Sequence, residues 1–118
     1  MRVFRFDRGE RSVDRYGSVG VVATRVAASA EGPVELTWLT VQPGGTIGAH
    51  PASATQLFLV VSGEGWVAGA DGARVDVSAG WGVRWEAGER HASGTATGLV
   101  ALAVEGPGLD AYEPDPHP

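Results

Sequence analysis

The sequence predicts an all-β domain, a sandwich or barrel of short antiparallel strands, and three observations carry that prediction. Eighteen glycines are spread along 118 residues, many at the ends of short Val-rich or aromatic-rich runs, as a chain with many tight turns requires. No stretch sustains a helical period. The apolar runs recur at the spacing of roughly eight or nine strands separated by turn residues.

Phe4–Phe6 and Gly20–Val26 are the first two runs. Val34–Val41 (VELTWLTV) is the clearest, with Val34, Leu36 and Trp38 alternating against Glu35, Thr37 and Leu39, the period of a strand. It ends on Gln42-Pro43-Gly44-Gly45, a strong turn signal. Gln56–Val61 is almost continuously apolar and of strand length. The turn Ser62–Gly65 separates it from a second short strand, Trp66–Ala68. Ala70-Asp71-Gly72 reads as a hairpin turn, because Asp-Gly suits positions of positive φ. Arg74–Val77, Gly82–Trp85 and Thr97–Val104 complete the count.

Residues 1–106 are read as one domain, of a size that buries its own core without disulfide or structural metal. Pro107, Pro114, Pro116 and Pro118 break any central-strand reading of residues 107–118, which are expected to hug the surface or move as a tail. His117 lies in that tail and is given no role.

Charge and composition narrow the function classes. The net charge of −5, from 14 acidic and 9 basic residues, opposes binding to nucleic acid or an anionic membrane. Every basic residue is Arg. Arg2, Arg5, Arg8, Arg11 and Arg15 cluster near the start but are interleaved with Asp7, Glu10 and Asp14, so that segment reads as a solvated or dimer-facing edge. The absence of cysteine removes thiolate chemistry and sulfur-ligated metals. Neither a signal-peptide core nor a membrane span is apparent, and a cytoplasmic protein is expected.

Two segments each hold one histidine among glycines. In the first, Gly44, His50, Gln56 and Gly63 are separated by five, five and six residues, with Ala52 two positions after His50. In the second, Gly80, Glu86, Gly88, His91 and Thr95 follow at intervals of five, one, two and three residues. These resemble the two motifs of the cupin superfamily: glycine, His, His, Glu, glycine in the first and glycine, proline, glycine, His, asparagine in the second. Gly44, His50, Gly63, Gly80, Gly88 and His91 match in type and spacing, whereas Ala52 stands for the second His, Gln56 for the Glu, Glu86 for the proline and Thr95 for the asparagine.

The resemblance implies a double-stranded β-helix, a jelly-roll barrel of two antiparallel sheets with one internal pocket. In relatives with intact motifs, three His and one Glu hold a divalent metal, a donor set that leaves positions open for substrate. Here His50, His91 and the weaker amide oxygen of Gln56 are the candidates for a divalent transition metal such as Fe, Mn, Ni or Zn. The favoured expectation is no cofactor, with His50, Gln56 and His91 forming a polar cluster that orients a small organic molecule and Trp38, Phe58 and Trp85 lining the barrel. Glu86 and Glu89 are expected to be solvated.

Three functions follow in order: a metal-free small-molecule binder, a metal-dependent dioxygenase or isomerase, and a non-catalytic dimeric accessory protein. Whether the protein is an enzyme is left open, and no catalytic residue is assigned. A homodimer is expected, with Phe4 and Phe6 available for the pairing surface.

Overall fold

The computed structural model describes residues 1–8 and 11–112. Twelve strands run in chain order: β1 (Arg2–Arg5), β2 (Arg11–Val13), β3 (Val21–Ala23), β4 (Ala27–Ser29), β5 (Glu35–Val41), β6 (Thr46–Pro51), β7 (Gln56–Ala68), β8 (Arg74–Ser78), β9 (Trp81–Trp85), β10 (Arg90–Gly94), β11 (Leu99–Glu105) and β12 (Leu109–Ala111). Every strand pairing is antiparallel.

The long strand β7 organises the barrel. Its first part lies between β9, paired over Gln56–Leu59, and β11, paired over Gln56–Gly63. Its second part lies between β8, paired over Glu64–Ala68, and β10, paired over Trp66–Ala68. One sheet is therefore β1-β9-β7-β11-β5 and the other β8-β7-β10-β6, joined through the shared strand. This is the double-stranded β-helix.

Two features let β7 serve both sheets. The β11 pairing slips where Ala101 faces Val60 but Val100 faces Ser62, leaving Val61 as an extra residue, a bulge that bends a strand. Gly63 follows with φ +80°, and a Cβ there would lie 2.2 Å from the Gly98 carbonyl oxygen. Only glycine meets both demands.

Alternation sorts the side chains into two clusters. Inside the barrel, Phe58, Val60, Val67, Val77, Val83, Trp85, Leu99 and Ala101 are buried together. On the outer face of the first sheet, Phe4, Leu57, Leu59, Val104 and Leu109 form a second cluster. The small β4–β12 sheet supplies Ala27, Leu109 and Ala111 to this outer layer. Phe4 is fully buried opposite Gly82, so it is not available for a pairing surface as expected from sequence; a Cβ on Gly82 would meet Leu59 and the Phe4 ring.

Residues 107–112 continue the fold, since β12 pairs with β4 and Leu109 is buried. The remainder of the expected tail, with His117, lies outside the described residues. The anticipated turns are present: Gly44 (φ +79°) and Gly72 (φ +74°) are left-handed, and the Gly45 amide donates to the Gln42 carbonyl at 2.7 Å.

Candidate functional site

β6 and β10 carry the two histidines and pair them directly, His91 opposite His50. On β6 the register slips: Ser93 faces Ile47 while His91 faces His50. Three steps separate Ile47 from His50, so simple alternation would send one inward and the other outward. The bulge removes that conflict, and both side chains line, with His91, one open hollow of about 280 Å³, His91 buried and His50 exposed.

The two imidazole centroids are 4.4 Å apart. His50 Nδ1 lies 2.7 Å from the Gly48 carbonyl and His91 Nδ1 3.0 Å from the Glu89 carbonyl. A carbonyl only accepts, so each Nδ1 carries the proton and, in the neutral ring, Nε2 keeps a lone pair. Burial pushes the His91 pKa below its usual range; the Glu89 carbonyl works the other way, and neighbouring His50 adds to the depression. His91 is thus a neutral acceptor at physiological pH.

The same Glu89 carbonyl accepts the Ala52 amide at 3.0 Å, and the Gly88 amide donates to the Ala52 carbonyl at 2.7 Å. Ala52 therefore ties the two histidine segments together through its backbone, at the position where the resemblance places a further histidine. Glu89 is not solvated as expected from sequence. Its carboxylate meets the Met1 ammonium at 3.0 Å and accepts the Glu86 amide at 3.0 Å. Burial opposes the charged form, but the Glu86 amide and the Met1 ammonium outweigh it and hold the Glu89 pKa below normal. Glu86 is exposed and pairs with Arg84.

Across the hollow, register aligns three side chains on neighbouring strands: Glu105 on β11, Gln56 on β7 and Trp85 on β9. The Trp85 ring packs 4.3 Å from the His91 ring and 5.7 Å from Phe58, centroid to centroid. Gln56 Oε1 and Trp85 Nε1 are buried without a hydrogen-bond partner, the two such side-chain atoms among the described residues. Larger hollows of about 390 and 410 Å³ lie outside this site, but neither includes Gln56 or Trp85 in its lining.

The structure thus brings together five of the six residues predicted to bind ligand: His50, Gln56, Phe58, Trp85 and His91. Trp38 is the exception, 62% exposed on the outer face of β5. Thr37 and Leu39 are the residues of β5 that line the hollow, so the inward set is the reverse of the Val34, Leu36, Trp38 set. Sequence reasoning missed Glu105. The signal was present in the period-2 series Leu99, Ala101, Ala103, Glu105, whose first two members are core and whose last two line the hollow.

Of the four positions that hold the metal in intact cupin motifs two keep a histidine, and the one carboxylate of the hollow, Glu105, does not join them in a metal-holding group of three. His50 and His91 offer two imidazole nitrogens, Gln56 an uncharged amide oxygen, and Ala52 nothing. Among the described residues no group of three His, Cys, Asp or Glu side chains converges as a metal site would require.

With this geometry established, comparison with known proteins gives the class. A family model described as Cupin domain matches residues 37–105, more than half of the chain. The chain belongs to the cupin family. Among solved structures, it is similar to a cupin 2 conserved barrel domain protein from Salinispora arenicola, at 27% identity and TM-score 0.57, covering 66% of this chain and 71% of that one. An uncharacterised protein with a double-stranded β-helix domain from Klebsiella pneumoniae matches at 21% identity and TM-score 0.58, over 68% of this chain and 75% of that one. A cupin superfamily protein from Desulfitobacterium hafniense matches at 14% identity and TM-score 0.58, over 86% and 95%. No curated protein matches the chain. No helix among the described residues is long and apolar enough to cross a membrane.

Proposed function

We propose that this cupin binds a small organic molecule in the His50–Gln56–His91 hollow without a tightly held metal. The observation that carries this reading is that the two residues with an unpartnered buried side-chain atom, Gln56 (Oε1) and Trp85 (Nε1), pair in register and both line one cavity. An unsatisfied buried polar atom costs roughly 1–3 kcal/mol, and two neighbours in one hollow are accounted for by a ligand that donates to one and accepts from the other. At about 280 Å³ the hollow sits just below the common range for ligand pockets, which favours a compact molecule over a cofactor.

The test is a thermal-shift and calorimetric screen of compact aromatic alcohols and amides, beside elemental analysis of the untagged protein. Stabilisation by such compounds, lost in Gln56→Leu, and no bound transition metal is the expected result. Near one equivalent of Fe, Mn, Ni or Zn, lost in a His50→Ala, His91→Ala double variant, would overturn the reading in favour of a metal enzyme.

The reading includes a homodimer. With Phe4 buried, the exposed outer-face residues Leu36 and Trp38 of β5, 63% and 62% exposed, replace Phe4 and Phe6 as the surface a second copy would cover.

A further inference from the structure

Histidines aside, the one formal charge in the lining of the hollow is a carboxylate, that of Glu105. Gln56 Oε1 and the Nε2 atom of neutral His91 are further acceptors. No Arg among the described residues lines the site. The donors there are the Trp85 Nε1–H, the Gln56 amide N–H groups and the hydroxyls of Ser93 and Thr37.

Glu105 is also crowded by its own kind. It pairs in register with Glu35 on β5 and with Gln56 on β7. Residues directly opposite in an antiparallel pair share one face of the sheet, and like charges so placed repel. Neither carboxylate has a hydrogen bond or ion pair with another described residue. One carboxylate, that of Glu105, lines an aromatic hollow, with the exposed Glu35 beside it on β5.

We infer that the site selects a small organic ammonium, an amine carrying a compact aromatic or apolar body, and rejects carboxylates and other anions. The inference rests on the reading of the hollow as a metal-free organic site. The ammonium donates its protons to the Glu105 carboxylate and Gln56 Oε1, with the Nε2 lone pair of His91 as a further acceptor. The body lies against Phe58 and Trp85, whose ring faces also attract a cation. Binding relieves the Glu35–Glu105 repulsion. An anion meets the Glu105 carboxylate with no Arg in the described lining to offset it.

Three probes with one shared body separate charge from shape: benzylamine, benzyl alcohol and benzoate, titrated calorimetrically into the wild-type chain and into Glu105→Gln at neutral pH. The expected order is benzylamine about tenfold or more tighter than benzyl alcohol, with benzoate not measurable. Glu105→Gln should erase the amine's advantage over the alcohol. Benzoate binding as tightly as benzylamine, or an amine preference that survives Glu105→Gln, overturns the charge selection while the organic-site reading stands. Failure of all three probes in the wild-type chain overturns both.

Discussion

His50 and His91 face each other across neighbouring strands with their rings 4.4 Å apart and each Nδ1 committed to a backbone carbonyl. The arrangement commits both Nδ1 atoms to the backbone and leaves both rings lining the same hollow. Two such rings would be an adequate start for a metal site, but the carboxylate that would complete it is an amide at Gln56, and the remaining position is Ala52, whose backbone serves as a tie.

Replacing Gln56 by leucine should separate stability from binding. Gln56 Oε1 has no partner to lose, so the unliganded Gln56→Leu protein should match the wild type or exceed it by about 1 kcal/mol in urea unfolding. Binding of compact aromatic alcohols should weaken in the same variant. A loss of more than about 2 kcal/mol would reveal a hydrogen bond that Gln56 makes in solution.

The depressed pKa of His91 predicts a direction for acid sensitivity. The unfolded chain takes up this proton near the ordinary value of 6.5, while the folded chain resists it until a lower pH. Stability is therefore retained above about pH 6.5 and declines as the pH falls through the window down to the folded pKa. His91→Gln should flatten that part of the curve, measured as the urea midpoint at several pH values. An unchanged slope in the variant would show that other groups carry the effect.

Glu89 acts in the same direction at lower pH. Its folded pKa lies below its ordinary value of 4.5, so its contribution is present above that value and is lost as the pH falls through the folded pKa. Glu89→Gln should remove this segment of the acid unfolding curve, leaving the His91 segment in place.

Phe4 and Trp38 should exchange the roles suggested by sequence. Phe4→Ala should cost about 3–5 kcal/mol, the penalty of emptying a fully buried aromatic site. Trp38→Ser should change monomer stability by only about 0.5 kcal/mol and leave ligand binding intact, but it should shift the chain toward monomer in sedimentation velocity. A dimer indifferent to Trp38→Ser would place the pairing surface elsewhere.

The reason for that exchange is physical. VELTWLTV is apolar at Leu36 and Trp38 on one face and at Leu39 and Val41 on the other, so alternation finds the strand but cannot choose its inward side. The twelve strands exceed the expectation because β6 and β10 hold few apolar residues and β2, β4 and β12 are only three residues long, while the two strands expected on either side of Ser62–Gly65 are the single strand β7. Motif spacing succeeded where alternation would have failed, at His50, because a bulge resets the phase between Ile47 and the imidazole. Glu105 escaped notice as a charged residue at the end of an apolar strand, where it reads as a strand terminus until the cavity beside it is known.

Because β7 contributes its first part to one sheet and its second to the other, with a bulge and a left-handed glycine at the junction, neither sheet can be completed alone. Residues 2–5 must find 81–84, and 35–41 must find 99–105, around the same central strand. Such distant pairings close slowly, on millisecond to second scales for proteins of this kind. The chain should therefore collapse to nothing stable until β7 is seated, and then acquire both walls and the ligand site in a single kinetic step.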